Sequence, residues 1–474
     1  MEFLQLLISN LLTQPGFFIG LLVFVGLLVI KKPVYEAVAG FVKTSVGFFI
    51  LTVGSSGLTS TFSPIISALK TRFGMEAAMV DTYFLMGQMY GEDGLYSIGN
   101  ALTWTMITFG ISFAWNFILV IFNKWTRCRT LYVTGHTMQV YSTIFIWMVY
   151  LVSPESRNLS FSILFGILAG TWAAVGSNLT VEATQNLTGN GGFAVGHQVM
   201  LGIWFTDKAA HLFGKKEDSV ENIKLPGFLS VFHDNVVSTA ILMTVFLGTI
   251  MGFIGRDALA AADPALKPDT LLLTYILTKC FHFSVYMYIL LSGVRMFVSE
   301  LMKAFDGISK KVIKGAMPAV DCAVTYNYSH PNVPLFGFIF GFFGQLLAIA
   351  GLLLFKSPLF LVPGFVPLFF DNATIAVFAN KKGGRRAAII LPFLNGIFQV
   401  MVTFGMLLFI KEAAGFSLTA WPAMFDNNTF LPLVILAHAV LNPYVATILL
   451  VILLLAITQI YYRRHKEHYY DHMK

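Results

Sequence analysis

Residues 334–355 read PLFGFIFGFFGQLLAIAGLLLF, a run of 22 residues that contains no charged side chain. With a rise of about 1.5 Å per residue, such a run forms a helix long enough to cross the hydrocarbon core of a bilayer. Comparable runs lie at 101–122, 235–253, 271–291, 388–410 and 431–457. A membrane β-barrel would instead show segments of about ten residues with alternating polarity. These runs predict an all-α polytopic membrane protein.

The composition excludes a water-soluble globular fold. Of 474 residues, 56% are apolar and only 12% are charged, and the mean hydropathy is +0.73. The net charge of +7 does not indicate nucleic-acid binding, because lysine and arginine lie in short loops between the apolar runs, as in membrane proteins generally. The sequence contains neither a Walker phosphate-binding motif nor a metal-ligand spacing, and its three cysteines suggest structural thiols.

Loop charges also predict the orientation. The N-terminal segment lacks a basic residue until Lys31 and Lys32, which follow the first apolar run, so we expect the N-terminus outside. The basic tail 461–474 is expected in the cytoplasm and frayed beyond His465. Hydropathy alone gives roughly ten to twelve crossings, and ends on opposite sides favour eleven. We expect residues 1–474 to form a single membrane unit.

Two pairs of similar segments suggest an internal repeat. Residues 226–235 match 363–372 at six of ten positions, and a looser pattern that ends in Val80-Asp81 recurs at Val320-Asp321. Transporters are often built from such repeats, with substrate held where broken helices meet. Four apolar segments carry glycine and polar residues that predict broken helices along a substrate path: 53–63, 132–143, 184–199 and 362–380.

Ionisable residues inside membrane segments mark functional sites by default. Five stand out here: Asp81, His136, His197, Glu300 and Asp321. For the two histidines, a ligand role and a neutral core imidazole are equally supported. Asp321 is either a substrate-hydroxyl acceptor or general base, or else a helix cap after Pro318. Asp234 and Asp371 are predicted helix caps, and the basic loop 381–386 is a positive-inside loop rather than a docking site.

Nine motifs in chain order give the sequence its resemblance to a known family. They are LTSTF (58–62), DTY (81–83), TGH (134–136), GHQ (196–198), KLPG (224–227), FHDN (232–235), GVRMFV (293–298), VDCA (320–323) and NATI (372–375). The sequence resembles the L-ascorbate family of phosphotransferase-system permeases, the membrane IIC component.

This resemblance implies a homodimer in the bacterial inner membrane, with eleven transmembrane helices per subunit in a core domain and a scaffold domain. It implies group translocation of L-ascorbate, or of a closely related sugar acid or polyol. A separate IIB protein, itself phosphorylated through IIA, would transfer phosphate from a phosphocysteine to the substrate. The chain alone would then be a transporter subunit and not an enzyme. No cofactor, metal or nucleic-acid partner is expected.

The resemblance also implies a substrate site. Its residues would be Thr82, Tyr83, His136, Thr137, Gln139, Val140, His197, Gln198 and Asp321. The family places glutamine four residues after the histidine of the TGH motif, where this sequence has Val140, with Gln139 one position earlier. Because one residue turns a helix by about 100°, this departure bears on substrate identity. Neutral His, Gln, Thr and Tyr suit a polyhydroxylated substrate, since each can exchange hydrogen bonds with hydroxyl groups.

Ascorbate is an anion, yet no lysine or arginine is expected in the site. Helix N-termini are the expected source of positive charge. Two other function classes remain open at this stage: an ion-coupled secondary transporter of a sugar or organic acid, and a membrane enzyme without transport.

Overall fold

A computed structural model of the chain describes residues 15–91, 93–223, 234–312 and 316–471. Helices dominate it. The helices are α1 (Pro15–Val29), α2 (Val34–Phe73), α3 (Thr82–Met89), α4 (Ala101–Ile121), α5 (Asn123–Thr126), α6 (Gly135–Gln139), α7 (Phe145–Val152), α8 (Leu159–Leu179), α9 (Val181–Thr188), α10 (Met200–Ala209), α11 (Asn235–Ile254), α12 (Arg256–Ala262), α13 (Leu272–Val312), α14 (Asn332–Leu354), α15 (Asn372–Ala414), α16 (Phe425–Val440) and α17 (Pro443–Arg464). The strands are β1 (Glu76–Val80), β2 (Thr130–Tyr132), β3 (Ala194–Val195), β4 (Met317–Val320) and β5 (Leu359–Pro363).

Within the described ranges, eight helical segments are long and apolar enough to cross a membrane. The all-α polytopic fold is therefore confirmed, whereas the count of eleven crossings stays a prediction. The run 431–457 contains two helices, because α16 ends at Val440 and α17 starts at Pro443, where the Asn442 side chain accepts hydrogen bonds from two backbone N–H groups. Conversely, α15 joins two helices at Gly384, whose φ of 62° lies in the left-handed region.

The short strands lie where the helical backbone is interrupted. β1 pairs in parallel with β5, and β4 lies between β2 and β3 in a second parallel sheet. Most strand residues are buried, with Glu76, Pro318 and Val320 as the exceptions. Non-helical backbone at membrane depth needs such pairing, since hydrocarbon offers no hydrogen-bond partner. Of the predicted breaks, 184–199 contains β3, while 132–143 and 362–380 begin at the ends of β2 and β5. Segment 53–63 lies within the continuous helix α2, where the prediction of a break was wrong.

An internal repeat is visible in the element order. The succession α2–β1–Asp81–α3 recurs as α13–β4–Asp321 followed by a 3₁₀ helix, Cys322–Tyr328, and both aspartates cap the element that follows them. Further on, β2 and β5 each lead into a short π-helix, Val140–Ile144 and Pro367–Asp371. Each sheet combines strands from both halves. The sequence similarity between the segments that end at Asp81 and Asp321 thus has a structural counterpart. The other similar pair cannot be compared in the same way, because most of 226–235 lies outside the described residues.

Glycines let the long helices α2 and α13 touch. A Cβ atom on Gly54 would lie 2.6 Å from the Leu290 backbone nitrogen, and one on Gly293 would lie 2.4 Å from that of Leu51. Backbone atoms cannot move aside as a flexible side chain can. Small residues at such a contact are what allow membrane helices to pack closely.

We therefore expect Gly54→Val to destabilise the protein by about 1–3 kcal/mol, because the new side chain must push α13 away. The measurement is the temperature at which detergent-solubilised protein loses its monodisperse peak. Gly405→Val is the matched control, since a Cβ there meets no atom within 4 Å. Equal losses in both variants would contradict the helix-contact explanation.

The three cysteines are all free and buried. Burial raises the pKa of the Cys128 thiol to about 12, so this group stays protonated and unreactive at neutral pH. The interpretation of these residues as structural thiols is consistent with this environment.

Candidate functional site

Four of the polar side chains singled out in the sequence line one cavity of about 440 Å³: Tyr83, His136, His197 and Asp321. Each lies within four residues of the end of a strand, respectively β1, β2, β3 and β4. Since β2, β4 and β3 run in parallel, their carboxyl ends lie at the same edge of the sheet. Strand pairing therefore brings together residues that are distant in the sequence.

The two histidines and Asp321 form a compact cluster. His136 Nε2 lies 3.3 Å from Asp321 Oδ2, and the two imidazole rings are 5.6 Å apart between centroids. The other carboxylate oxygen, Asp321 Oδ1, accepts a hydrogen bond from the Ala323 backbone N–H at 2.9 Å. Asp321 is thus both a cap and a cavity residue, so the two interpretations offered by the sequence are compatible.

A buried carboxylate, Asp426, fixes the segment that carries His197. It accepts hydrogen bonds from the backbone N–H groups of Met200 and Leu201 at 2.9 and 2.8 Å. The Tyr141 hydroxyl lies 3.0 Å from Asp426 Oδ2 and 3.2 Å from the His197 carbonyl oxygen. Sequence reasoning missed Asp426, although an acidic residue beside the apolar run 431–457 was the available signal.

The sequence matches the family model of sugar-specific permease components of the phosphotransferase system over residues 10–430. The chain belongs to this family. It is 31% identical, over 431 residues, to the ascorbate-specific phosphotransferase-system EIIC component of Mycoplasma pneumoniae. That alignment covers 83% of this chain and 65% of the relative, so the chain spans slightly less than two thirds of the relative's length.

Five residues that the resemblance placed in the permease site do not line the cavity: Thr82, Thr137, Gln139, Val140 and Gln198. Thr82 and Val140 are buried. The Thr137 hydroxyl donates to the Thr134 carbonyl, and Gln139 Nε2 donates to the Tyr90 hydroxyl at 3.1 Å. Gln198 Oε1 accepts from Asn427 Nδ2 at 2.6 Å. Neither Gln139 nor Val140 reaches the cavity in this conformation of the permease.

Arg295 on α13 does line the cavity, contrary to the expectation that the site contains no basic residue. It belongs to the motif GVRMFV, yet the sequence alone could not show that this part of α13 passes beside the strand ends. Its position changes the electrostatics of the site, since a full positive charge faces the same space as Asp321.

Other acidic residues have structural partners. Asp234 caps α11 as predicted, through hydrogen bonds from the N–H groups of Val236 and Val237. Asp371 is not a cap: its carboxylate accepts from Asn395 Nδ2 at 2.7 Å and Gln399 Nε2 at 2.8 Å, inside continuous helical backbone. Glu300 pairs with Lys43 and Lys303.

The same cluster offers a set of metal ligands. One ligand atom from each of His136, His197 and Asp321 lies within 4.8 Å of the others. Two imidazoles and a carboxylate can bind a divalent transition-metal ion, and they can equally exchange hydrogen bonds with hydroxyl groups. No metal was expected from the sequence, because three ligands on separate segments produce no local spacing.

Proposed function

We propose that this permease component binds L-ascorbate, or a closely related sugar acid or polyol, in the cavity formed by Tyr83, His136, His197 and Asp321. The observation that carries the proposal is the convergence of these four side chains at the broken segments of a membrane protein. Tyrosine and neutral histidine can donate and accept, and the Asp321 carboxylate accepts, which suits a ligand with several hydroxyl groups. Family membership and the ascorbate-specific relative support the choice of cargo.

We further propose that the cargo is phosphorylated by a separate IIB protein during transport and that the chain works as a homodimer. The N-terminus would be outside and the tail in the cytoplasm. The basic residues 381–386 lie within α15, at its kink, and not in a loop as the sequence predicted. Lys382 pairs with Asp207 at 2.6 Å and Arg385 with Asp218 at 3.3 Å. Such ion pairs keep a positively charged surface ordered on the side where we place IIB.

The test is binding of labelled L-ascorbate to purified protein in detergent, with unlabelled sugar acids and polyols as competitors. Saturable binding in the presence of a metal chelator supports the proposal and excludes a required metal. Transport of unmodified substrate without IIB would instead favour an ion-coupled transporter. If polyols bind and sugar acids do not, the cargo is a polyol and not ascorbate.

Replacing Asp321 by asparagine tests a role in the chemical step. If Asp321 takes the proton from the substrate hydroxyl, we expect IIB-dependent phosphorylation to fall by about 10²–10⁴-fold, because asparagine cannot act as a base. Ascorbate binding should weaken much less, since asparagine still accepts hydrogen bonds.

The measurements are the rate of phosphate transfer at saturating substrate and the dissociation constant of each variant. Asp257→Asn is the matched control, because Asp257 is exposed on α12 and lines neither this cavity nor the one beside it. Unchanged phosphorylation by Asp321→Asn would remove the base role and leave Asp321 a binding residue.

A further inference from the structure

A second cavity of about 250 Å³ lies beside the first, between α11 and α13. It is lined mainly by polar side chains, including Thr239, Ser284, Tyr288 and Ser292. The two cavities share two lining residues, Leu291 and Arg295. Arg295 therefore lies between the two cavities and lines both of them.

Arg295 brings a positive charge to the boundary between the two cavities. Among the residues that the structure describes, no hydrogen bond or ion pair engages the exposed Arg295 side chain, whereas Lys43 and Lys303 both pair with Glu300. An unpaired cation in a membrane protein is costly unless it faces water or an anion. Asp234 also lines the second cavity, but its carboxylate already accepts two backbone hydrogen bonds at the start of α11.

The alternative source of positive charge, the helix N-termini, is largely occupied. Asp81 Oδ1 accepts hydrogen bonds from the N–H groups of Tyr83 and Phe84 at 2.9 and 3.0 Å, and Asp321 Oδ1 accepts from Ala323. Aspartates at these positions offset the partial positive charge of the helix ends. The start of α6, at Gly135, carries no side-chain cap, but this helix is only five residues long. The expectation that helix N-termini supply the charge is therefore weakened, and Arg295 remains as a full positive charge.

We propose that Arg295 recognises the negative charge of the cargo and selects sugar acids over neutral sugars and polyols of similar size. This inference rests on the proposed function and names the charge class of its substrate. The planar guanidinium can form two parallel hydrogen bonds with a carboxylate or with the enolate and neighbouring oxygen of an acidic sugar lactone. At the boundary between the cavities, it can hold the anion in either space.

The experiment compares Arg295→Gln and Arg295→Lys with the unaltered protein, using calorimetric binding of L-ascorbate and of a neutral hexitol. For Arg295→Gln we expect ascorbate affinity to fall by about tenfold or more, as for loss of a hydrogen bond to a charged group. Hexitol affinity should not fall. Arg295→Lys should retain part of the ascorbate affinity, because lysine keeps the positive charge but lacks the planar group that forms two parallel hydrogen bonds.

Salt gives an independent readout. Ascorbate affinity of the unaltered protein should decrease with ionic strength, and that dependence should be smaller in Arg295→Gln. Arg463→Gln is the matched control, since Arg463 is exposed on the tail and lines neither cavity. Each variant is first checked for a monodisperse peak and an unchanged melting temperature.

The outcomes separate the two proposals. If the unaltered protein binds ascorbate and Arg295→Gln binds it equally well, the role of Arg295 is overturned while the proposed function stands. If the unaltered protein binds the hexitol and no sugar acid, both are overturned. A parallel loss of ascorbate and hexitol in Arg295→Gln, at unchanged melting temperature, would also overturn charge selection.

Discussion

Replacing His197 by alanine is expected to lower L-ascorbate affinity by roughly 10- to 150-fold, the range for losing a hydrogen bond with a charged partner. His197 is only 5% exposed, and its Nδ1 atom is buried without a hydrogen-bond partner in the part of the chain that the structure describes. The ring also lies beside His136 and within reach of Asp321. Alanine would leave a polar group of the substrate without its hydrogen-bond partner, and sites built from polar partners discriminate strongly for this reason.

The measurement is the dissociation constant for labelled ascorbate in detergent, with melting temperature as the folding check. His282→Ala is the matched control, because His282 is exposed on α13 and lines none of the cavities near the site. A folded His197→Ala protein that binds ascorbate as tightly as the unaltered one would show that the cargo does not contact this imidazole.

The cavity residues were identifiable from the sequence for a simple reason. Tyr83, His136, His197 and Asp321 are polar groups beside glycine, proline or aspartate in otherwise apolar segments, where lipid-facing helices would not tolerate them. Their side chains meet only through the pairing of β2, β4 and β3, whose strands are too short for any periodicity to reveal. Arg295 and Asp426 were missed because their roles depend on which helix passes the strand ends.

The π-helix at Val140–Ile144 shows a second limit of prediction from the sequence, which concerns the directions of the Gln139 and Val140 side chains. The argument about Gln139 and Val140 assumed regular α-helical rotation, but an extra residue per turn starts at this point. Gln139 donates to the Tyr90 hydroxyl and Val140 packs in the apolar core, so neither lines the cavity in this conformation. Their part in substrate identity stays a prediction.

The tail shows where charge patterns mislead. Basic residues predicted fraying beyond His465, but Tyr469 is fully buried and its hydroxyl donates to the Arg127 carbonyl at 2.5 Å. Burial raises the pKa of the Tyr469 phenol, which keeps it protonated as a donor. Four tyrosines of the tail pack on one another: Tyr461, Tyr462, Tyr469 and Tyr470. The prediction of a frayed tail was wrong as far as residue 471, where the described structure ends.

Arg129 connects this tail to the site. Its guanidinium is fully buried, lies 3.7 Å from the centre of the Tyr469 ring, and donates to the Tyr469 carbonyl. It also donates to Asn178 Oδ1 and to Glu182 Oε1, both at 2.9 Å. Because Arg129 immediately precedes β2, the same side chain anchors the strand that leads to His136.

We therefore expect Arg129→Ala to destabilise the protein by about 1–3 kcal/mol, because it removes the donor from buried acceptors, whereas the Glu182 side chain is 24% exposed and keeps contact with water. Glu182, Asn178 and the Tyr469 carbonyl would each lose a donor, and the tail would detach from α8. The measurement is the melting temperature in detergent together with proteolysis of the tail. Ascorbate affinity should fall as well, since β2 positions His136.

Arg129→Lys separates charge from geometry. Lysine keeps the positive charge but cannot donate hydrogen bonds to Asn178, Glu182 and Tyr469 at the same time. We therefore expect a melting temperature between those of the unaltered protein and Arg129→Ala. Arg464→Ala, which removes an exposed cation from the same tail, should leave both stability and tail protection unchanged. If Arg129→Ala matched Arg464→Ala in both measurements, the tail would be held by its tyrosines alone. If it lost tail protection but kept ascorbate affinity, β2 would be fixed by its pairing with β4 and not by Arg129.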